Sequence, residues 1–208
     1  MNRTFSFFLF FLILASNILS SESGWLLGVY ITKPLLIPSL AWMLAGSEWR
    51  LVRWVWMALF FSWIGDILLM LPYDLFIFGL GSFLVAHIFY IRHFIGIWRS
   101  NGRPINRVVA LVLIGYLLAL FSVLFPVLGD LRIPVVGYGI VISTMLLFAS
   151  QTARIGYAIG ATFFVLSDTL LAINKFYTPL PMAALLVMST YGLAQYYIVK
   201  TARTIKFE

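Results

Sequence analysis

The chain has 208 residues, of which 14 are basic and 7 acidic, while 62% are hydrophobic. A charged fraction of 10% lies far below the roughly 25% of a soluble domain and excludes a water-soluble fold. At about 20 apolar residues per bilayer-crossing helix, the length accommodates about eight spans with short connections. The absence of cysteine excludes disulfides, a thiolate nucleophile and cysteine metal sites, and two histidines do not build a three-histidine zinc site.

The first apolar stretch, 4–20, follows Arg3 and has the outline of a signal peptide. Its apolar run continues to Leu19 without a small-x-small cleavage site before the next stretch, so it is read as a retained helix whose Asn17 sits near an interface. The second stretch, 24–45, carries Lys33, Pro34 and Pro38, and the third, 51–71, carries Gly65-Asp66-Ile67-Leu68-Leu69. The fourth, 74–98, has His87 midway, with Arg92 and His93 toward its far end. The fifth and sixth, 107–128 and 133–150, meet at Gly129-Asp130. The seventh, 155–176, contains Ser167-Asp168-Thr169-Leu170-Leu171, and the eighth, 178–200, contains Tyr191. Short boundaries rich in Gly, Pro, Ser and Asp make sequential neighbours antiparallel. The pattern predicts an all-α polytopic membrane protein, a single integral membrane domain of eight helices. The match between the segments around Asp66 and Asp168 suggests two parallel four-helix repeats.

Basic residues fix the expected topology. With the N-terminus cytoplasmic, that side receives Arg3, Arg50, Arg53, Arg99, Arg103, Arg107, Arg154, Lys200, Arg203 and Lys206, against Arg132 and Lys175 on the other. This bias predicts cytoplasmic termini, and the compactness and short loops suggest a multi-pass protein of a bacterial inner membrane. It also accounts for the net charge of +7 without nucleic acid as a partner.

A charge near the bilayer centre costs about 2.5 kcal/mol or more, so each needs a partner, a cavity or a function. Lys33, Asp66, His87, Asp168 and Tyr191 fall in one slab, roughly 8 to 20 Å from the outer ends of their spans at 1.5 Å per residue. Two aspartates against one buried lysine leave a surplus of acid, and two carboxyl groups in different settings suit general acid and base chemistry. For each residue a structural reading stands beside the functional one: ion pairing for the aspartates, snorkelling for Lys33, interhelical packing for His87 and back-bonding to the preceding turn for Ser167. No Gly-x-Ser-x-Gly elbow supports a serine hydrolase.

Lys33-Pro34, Gly65-Asp66 with Leu68-Leu69, Gly79 through Ala86-His87 to Tyr90, Tyr138 with Met145, and Ser167-Asp168 together resemble the YhhN-type lysoplasmalogenase family. The resemblance implies an integral membrane hydrolase that cleaves the vinyl ether bond of lysoplasmalogens, releasing a fatty aldehyde and a glycerophospho-alcohol. It implies a lysophospholipid substrate and no cofactor or metal. Asp66 and Asp168 are the expected catalytic pair, with Lys33, His87, Tyr138, Ser167 and Tyr191 binding substrate or supporting them. Asp168 is expected to act as acid and Asp66 as base, a division that parallels the two carboxyl groups of inverting glycosidases. The competing expectation is a small proton-coupled transporter that uses the same carboxylates.

Overall fold

A computed structural model describes residues 3–102 and 104–205. Eight α-helices follow in order: α1 (Arg3–Glu22), α2 (Leu26–Leu44), α3 (Trp49–Met70), α4 (Phe76–Ser100), α5 (Arg107–Leu124), α6 (Arg132–Gln151), α7 (Ile155–Ala172) and α8 (Ala183–Ala202). The first seven are long and apolar enough to cross a membrane. Helix α8 matches them in length at 20 residues, but carries Ser189, Thr190, Tyr191, Gln195, Tyr196 and Lys200. Of these, Tyr191, Gln195 and Tyr196 are buried inside the bundle. Two 3-10 turns, Phe125–Val127 and Gly129–Leu131, join α5 to α6, and α7 runs on into a π-helical turn, Ile173–Tyr177.

Side-chain pairs show how the helices run. Asn17 on α1 donates to Thr32 on α2, Ser82 on α4 donates to the Phe61 carbonyl of α3, and Ser167 on α7 donates to the Val187 carbonyl of α8. Each pair joins the late part of one helix to the early part of the next, or the reverse, as antiparallel neighbours require. Helix α8 also lies against α1, where Tyr196 packs on Phe7 and Phe11 with ring centroids 5.1 and 5.2 Å apart, and the Leu185 N–H donates to Glu22 Oε1 at 2.9 Å. The first helix is therefore packed into the bundle through its length. Asn17 is fully buried between α1 and α2; its Nδ2 donates to the Thr32 hydroxyl, while its Oδ1 has no hydrogen-bond partner among the described residues.

Close helix approach rests on small residues, as is usual where apolar side chains gain nothing by leaving lipid. A Cβ at Gly160 would lie 2.9 Å from the Ala194 carbonyl oxygen, so α7 and α8 approach backbone to backbone there. Helix α2 keeps two internal prolines, Pro34 and Pro38. Pro38 has no N–H for the carbonyl of residue 34, four positions earlier. That oxygen instead accepts a hydrogen bond from the Trp63 indole of α3 at 2.9 Å.

Arg50, Arg53, Arg99, Arg107, Arg154, Lys200 and Arg203 gather at one end of the bundle, here called the basic end. Arg92, read from sequence as lying near the far end of its span, joins them, since it lines a pocket with Arg50, Arg99 and Arg154. Arg103 and Lys206 lie outside the described residues. Glu22, Asp74, Asp130, Arg132 and Lys175 mark the opposite, distal end.

Candidate active site

Asp66 and Asp168 stand one turn before the last residues of α3 and α7, two helices that run in the same direction. Both therefore reach the same depth, toward the distal end. They face one cavity of about 270 Å³, whose polar lining comprises Lys33, Asp66, Tyr138, Ser167, Asp168, Asn174, Lys175 and Tyr191. Leu69, Leu80, Phe83, Val135 and Leu171 supply much of its apolar wall. The two carboxyl groups are near enough for the charge of Asp66 to act on Asp168.

Each carboxyl group has one phenolic donor from a different helix. Tyr191 on α8 donates to Asp66 Oδ2 at 2.7 Å, and Tyr138 on α6 donates to Asp168 Oδ2. The Lys33 ammonium on α2 acts electrostatically on Asp66. Asp66 is thus served by a cation and a hydroxyl, and Asp168 by a hydroxyl with a second carboxyl group for a neighbour. The two aspartates occupy corresponding places on their helices, but their donors come from non-corresponding ones.

Behind Tyr191 a buried row of hydrogen bonds leads toward the basic end. Gln195 Nε2 donates to the Tyr191 hydroxyl at 3.3 Å, and the Tyr90 hydroxyl donates to Gln195 Oε1 at 2.5 Å. Tyr191 and Gln195 are one turn apart on α8, so they share a face, and Tyr90 reaches them from α4. Tyr90 and Gln195 are completely buried. Every polar atom in this row that could lose energy on burial has a partner.

Of the sequence-predicted site residues, Lys33, Asp66, Tyr138, Ser167, Asp168 and Tyr191 converge on the cavity. Ser167 does not back-bond to its own helix; its hydroxyl fastens α7 to α8 through Val187. His87 reaches the same region but stays behind the wall. It is fully buried, with its ring edge-on to Tyr138 and Phe164 at centroid distances of 5.3 and 4.7 Å, and neither ring nitrogen has a hydrogen-bond partner among the described residues.

Sequence reasoning assigned no role to Asn174, Lys175 or Gln195. The first two belong to the π-helical turn that lines the cavity, a distortion often found at functional sites. Asn174 Oδ1 accepts from the Leu180 N–H at 2.8 Å and so pins the α7–α8 connection, while Lys175 Nζ sits 5.3 Å from the Phe76 ring centroid. In sequence they stand out only as a polar pair, Asn174-Lys175, just before the end of an otherwise apolar stretch.

An all-helical, multi-pass membrane protein with two carboxyl groups converging on one intramembrane cavity is the class that fold and site define. Within that class, the chain belongs to the YhhN family, whose model matches residues 28–202. It is 34% identical over 150 residues to the protein named lysoplasmalogenase TMEM86B from Homo sapiens, a match that covers 70% of this chain and 61% of the human one. It is 32% identical over 185 residues to a protein named lysoplasmalogenase from Mycobacterium bovis, covering 83% of this chain and 71% of the relative. A third relative, named lysoplasmalogenase TMEM86A from Homo sapiens, is 31% identical over 160 residues, or 71% of this chain and 64% of that one. The chain thus spans less than two thirds of the human relatives. No solved structure matches it.

Proposed function

We propose that the protein is an intramembrane hydrolase that cleaves the vinyl ether bond of lysoplasmalogens. The observation that carries this reading is the convergence of Asp66 and Asp168 on one cavity; the names of its relatives support the substrate class.

A vinyl ether is activated by a proton on the carbon distal to oxygen. The Asp168 carboxyl group supplies that proton, a C–H bond forms, and the double bond becomes an oxocarbenium ion. Water adds to the cationic carbon while its proton passes to Asp66, which Lys33 and Tyr191 equip to act as the ionised base. The resulting hemiacetal collapses: its C–O bond to glycerol breaks, the leaving oxygen takes the proton from Asp66, and the hemiacetal hydroxyl proton returns to Asp168. The sum is vinyl ether plus water to aldehyde plus alcohol, with both carboxyl groups restored.

The cavity suits a single-chain amphiphile. Lys175 and Asn174 on the distal side place a cation and an amide where a glycerophosphate head lies, and Leu69, Leu80 and Leu171 give the alkenyl chain an apolar wall. Toward the basic end, Tyr90, His87 and Phe164 fill the core. A one-sided cavity fits hydrolysis of a lipid entering from the distal leaflet better than alternating-access transport. The basic residues at the other end support the reading, under the positive-inside bias, that both termini are cytoplasmic.

Purified full-length protein in detergent, given an ethanolamine or choline lysoplasmalogen, is expected to release fatty aldehyde. Asp66→Asn and Asp168→Asn are each expected to lower kcat by about a hundredfold or more, the usual scale for loss of a positioned acid or base. Full aldehyde release by both variants would remove the two-carboxylate mechanism, and no release by the wild-type protein would remove the hydrolase.

A further inference from the structure

The basic end holds a second concavity with no part in the chemistry above. Its volume is about 740 Å³, and it is lined by Arg50, Arg92, Arg99 and Arg154 with no acidic side chain. The four arginines come from three places in the chain: the start of α3, the last two turns of α4, and the residue before α7. Arg92 and Arg99 are seven apart on α4 and so share a face. No described acidic residue forms an ion pair with any of the four. Positive-inside topology asks only that basic residues lie on one side of the membrane. It does not ask that four of them surround one hollow, where their charges repel.

The hollow also has built walls. His93 lines it, is buried, and is hydrogen-bonded with the Tyr157 hydroxyl at 2.7 Å. Asn101 lines it too, and its Nδ2 donates to the Thr152 carbonyl at 2.9 Å, which ties the α4–α5 connection to the α6–α7 connection. At Gly96, another lining residue, an added Cβ would meet nothing within 4 Å. Leu51, Trp54 and Ile97 form an apolar flank, with the Arg92 guanidinium 5.7 Å from the Trp54 ring centroid.

We propose that this pocket binds a phosphate group, presented by an anionic phospholipid headgroup at the membrane surface. Guanidinium groups match phosphate in charge and geometry, basic pockets between transmembrane helices recognise such headgroups, and the apolar flank gives the glycerol and first methylenes a place to lie. The volume exceeds what a free phosphate ion fills, which favours the lipid as source.

The test measures the thermal midpoint of the purified full chain in a non-ionic detergent while short-chain phosphatidic acid, short-chain phosphatidylcholine or inorganic phosphate is titrated in. Phosphatidic acid is expected to raise the midpoint saturably and phosphatidylcholine not. Arg92→Gln and Arg99→Gln are each expected to weaken the phosphatidic acid response roughly fivefold, about 1 kcal/mol per basic residue. Arg107→Gln, at the same end but outside the hollow, is expected to leave it unchanged. Arg50→Gln and Arg154→Gln, both exposed, repeat the measurement if an α4 variant is unstable. Inorganic phosphate acting alone, with the same dependence on the pocket arginines, supports the phosphate site with a free ion as its source. No saturable response to either phosphate ligand, or an equal loss in Arg107→Gln, overturns the proposal and leaves only general surface charge.

Discussion

Asp66 and Asp168 are the same side chain on different supports, and in the proposed mechanism the supports decide what each does. Asp66 answers to Lys33 and to Tyr191, and Tyr191 is itself held by Gln195 and, through it, by Tyr90. Tyr90 and Gln195 lie outside the cavity lining, and in the proposed mechanism they are positioning residues. Tyr191→Phe is expected to lower kcat about tenfold, since a hydrogen bond to a charged group contributes about 1.5 to 3 kcal/mol. Gln195→Leu is expected to lower kcat by a smaller factor with KM unchanged, because Gln195 lies outside the cavity lining. Steady-state kinetics on a lysoplasmalogen separates the two parameters, and a change confined to KM would show that the row does not set the carboxyl group. At this scale the sequence is informative about charge and poor about neutral polarity. Lys33, Asp66 and Asp168 stand out because an ionised group inside a bilayer is costly. Gln195 does not, since an amide in a helix already rich in hydroxyls carries no comparable penalty. Depth along a helix is legible, which is why His87 falls in the correct slab. Direction around the helix is not, and the structure puts His87 behind Tyr138 and Phe164.

Helix α2 carries two internal prolines, and α7 runs on into a π-helical turn that lines the site cavity. In α2 the carbonyl freed by Pro38 is taken up by Trp63, so one indole repairs a gap that proline opens in a neighbouring helix. Trp63→Phe leaves that oxygen with no donor in an apolar setting and is expected to destabilise the fold by about 1 to 3 kcal/mol. The measurement is a thermal or denaturant midpoint in detergent, compared with Trp42→Phe at an exposed tryptophan of the same helix pair. Equal midpoints for the two variants would mean that the carbonyl is satisfied in another way. In α7 the π-helical turn displaces Asn174 and Lys175 onto the cavity. An apolar stretch that ends in a loop reads the same whether its last turn is regular or widened. The sequence therefore places Lys175 simply in the outer loop. The extra residue per turn is visible only in the backbone.

The most apolar helix faces outward, and the least apolar one faces inward. Helix α5 has the highest mean hydropathy of the candidate spans, 2.8, yet only Leu113 and Leu124 of it are buried. Helix α8 is less apolar and among the most buried. This inversion is what lipid as solvent demands, since polar groups must find partners within the protein. It also explains what was legible at this scale. Eight helices, their order and their antiparallel sequence follow from apolar runs and turn residues, whereas the contacts between non-sequential helices, such as α4 with α8 through Tyr90 and Gln195, leave no mark in hydropathy. The orientation is open to direct measurement because the chain has no cysteine of its own. In intact cells a membrane-impermeant thiol reagent is expected to label Asp130→Cys at the distal end and to spare Glu48→Cys at the basic end. The reverse pattern would invert the topology.

Helix α8 has one more consequence, for how the protein is made. The seven preceding helices are apolar enough to enter a bilayer by their own hydropathy as they leave the ribosome. Helix α8 is less apolar, and its buried Tyr191 and Gln195 find hydrogen-bond partners in each other and on α3 and α4. Since Asp66 receives its hydroxyl from α8, the proposed catalytic carboxyl group lacks that donor until α8 has packed against α3.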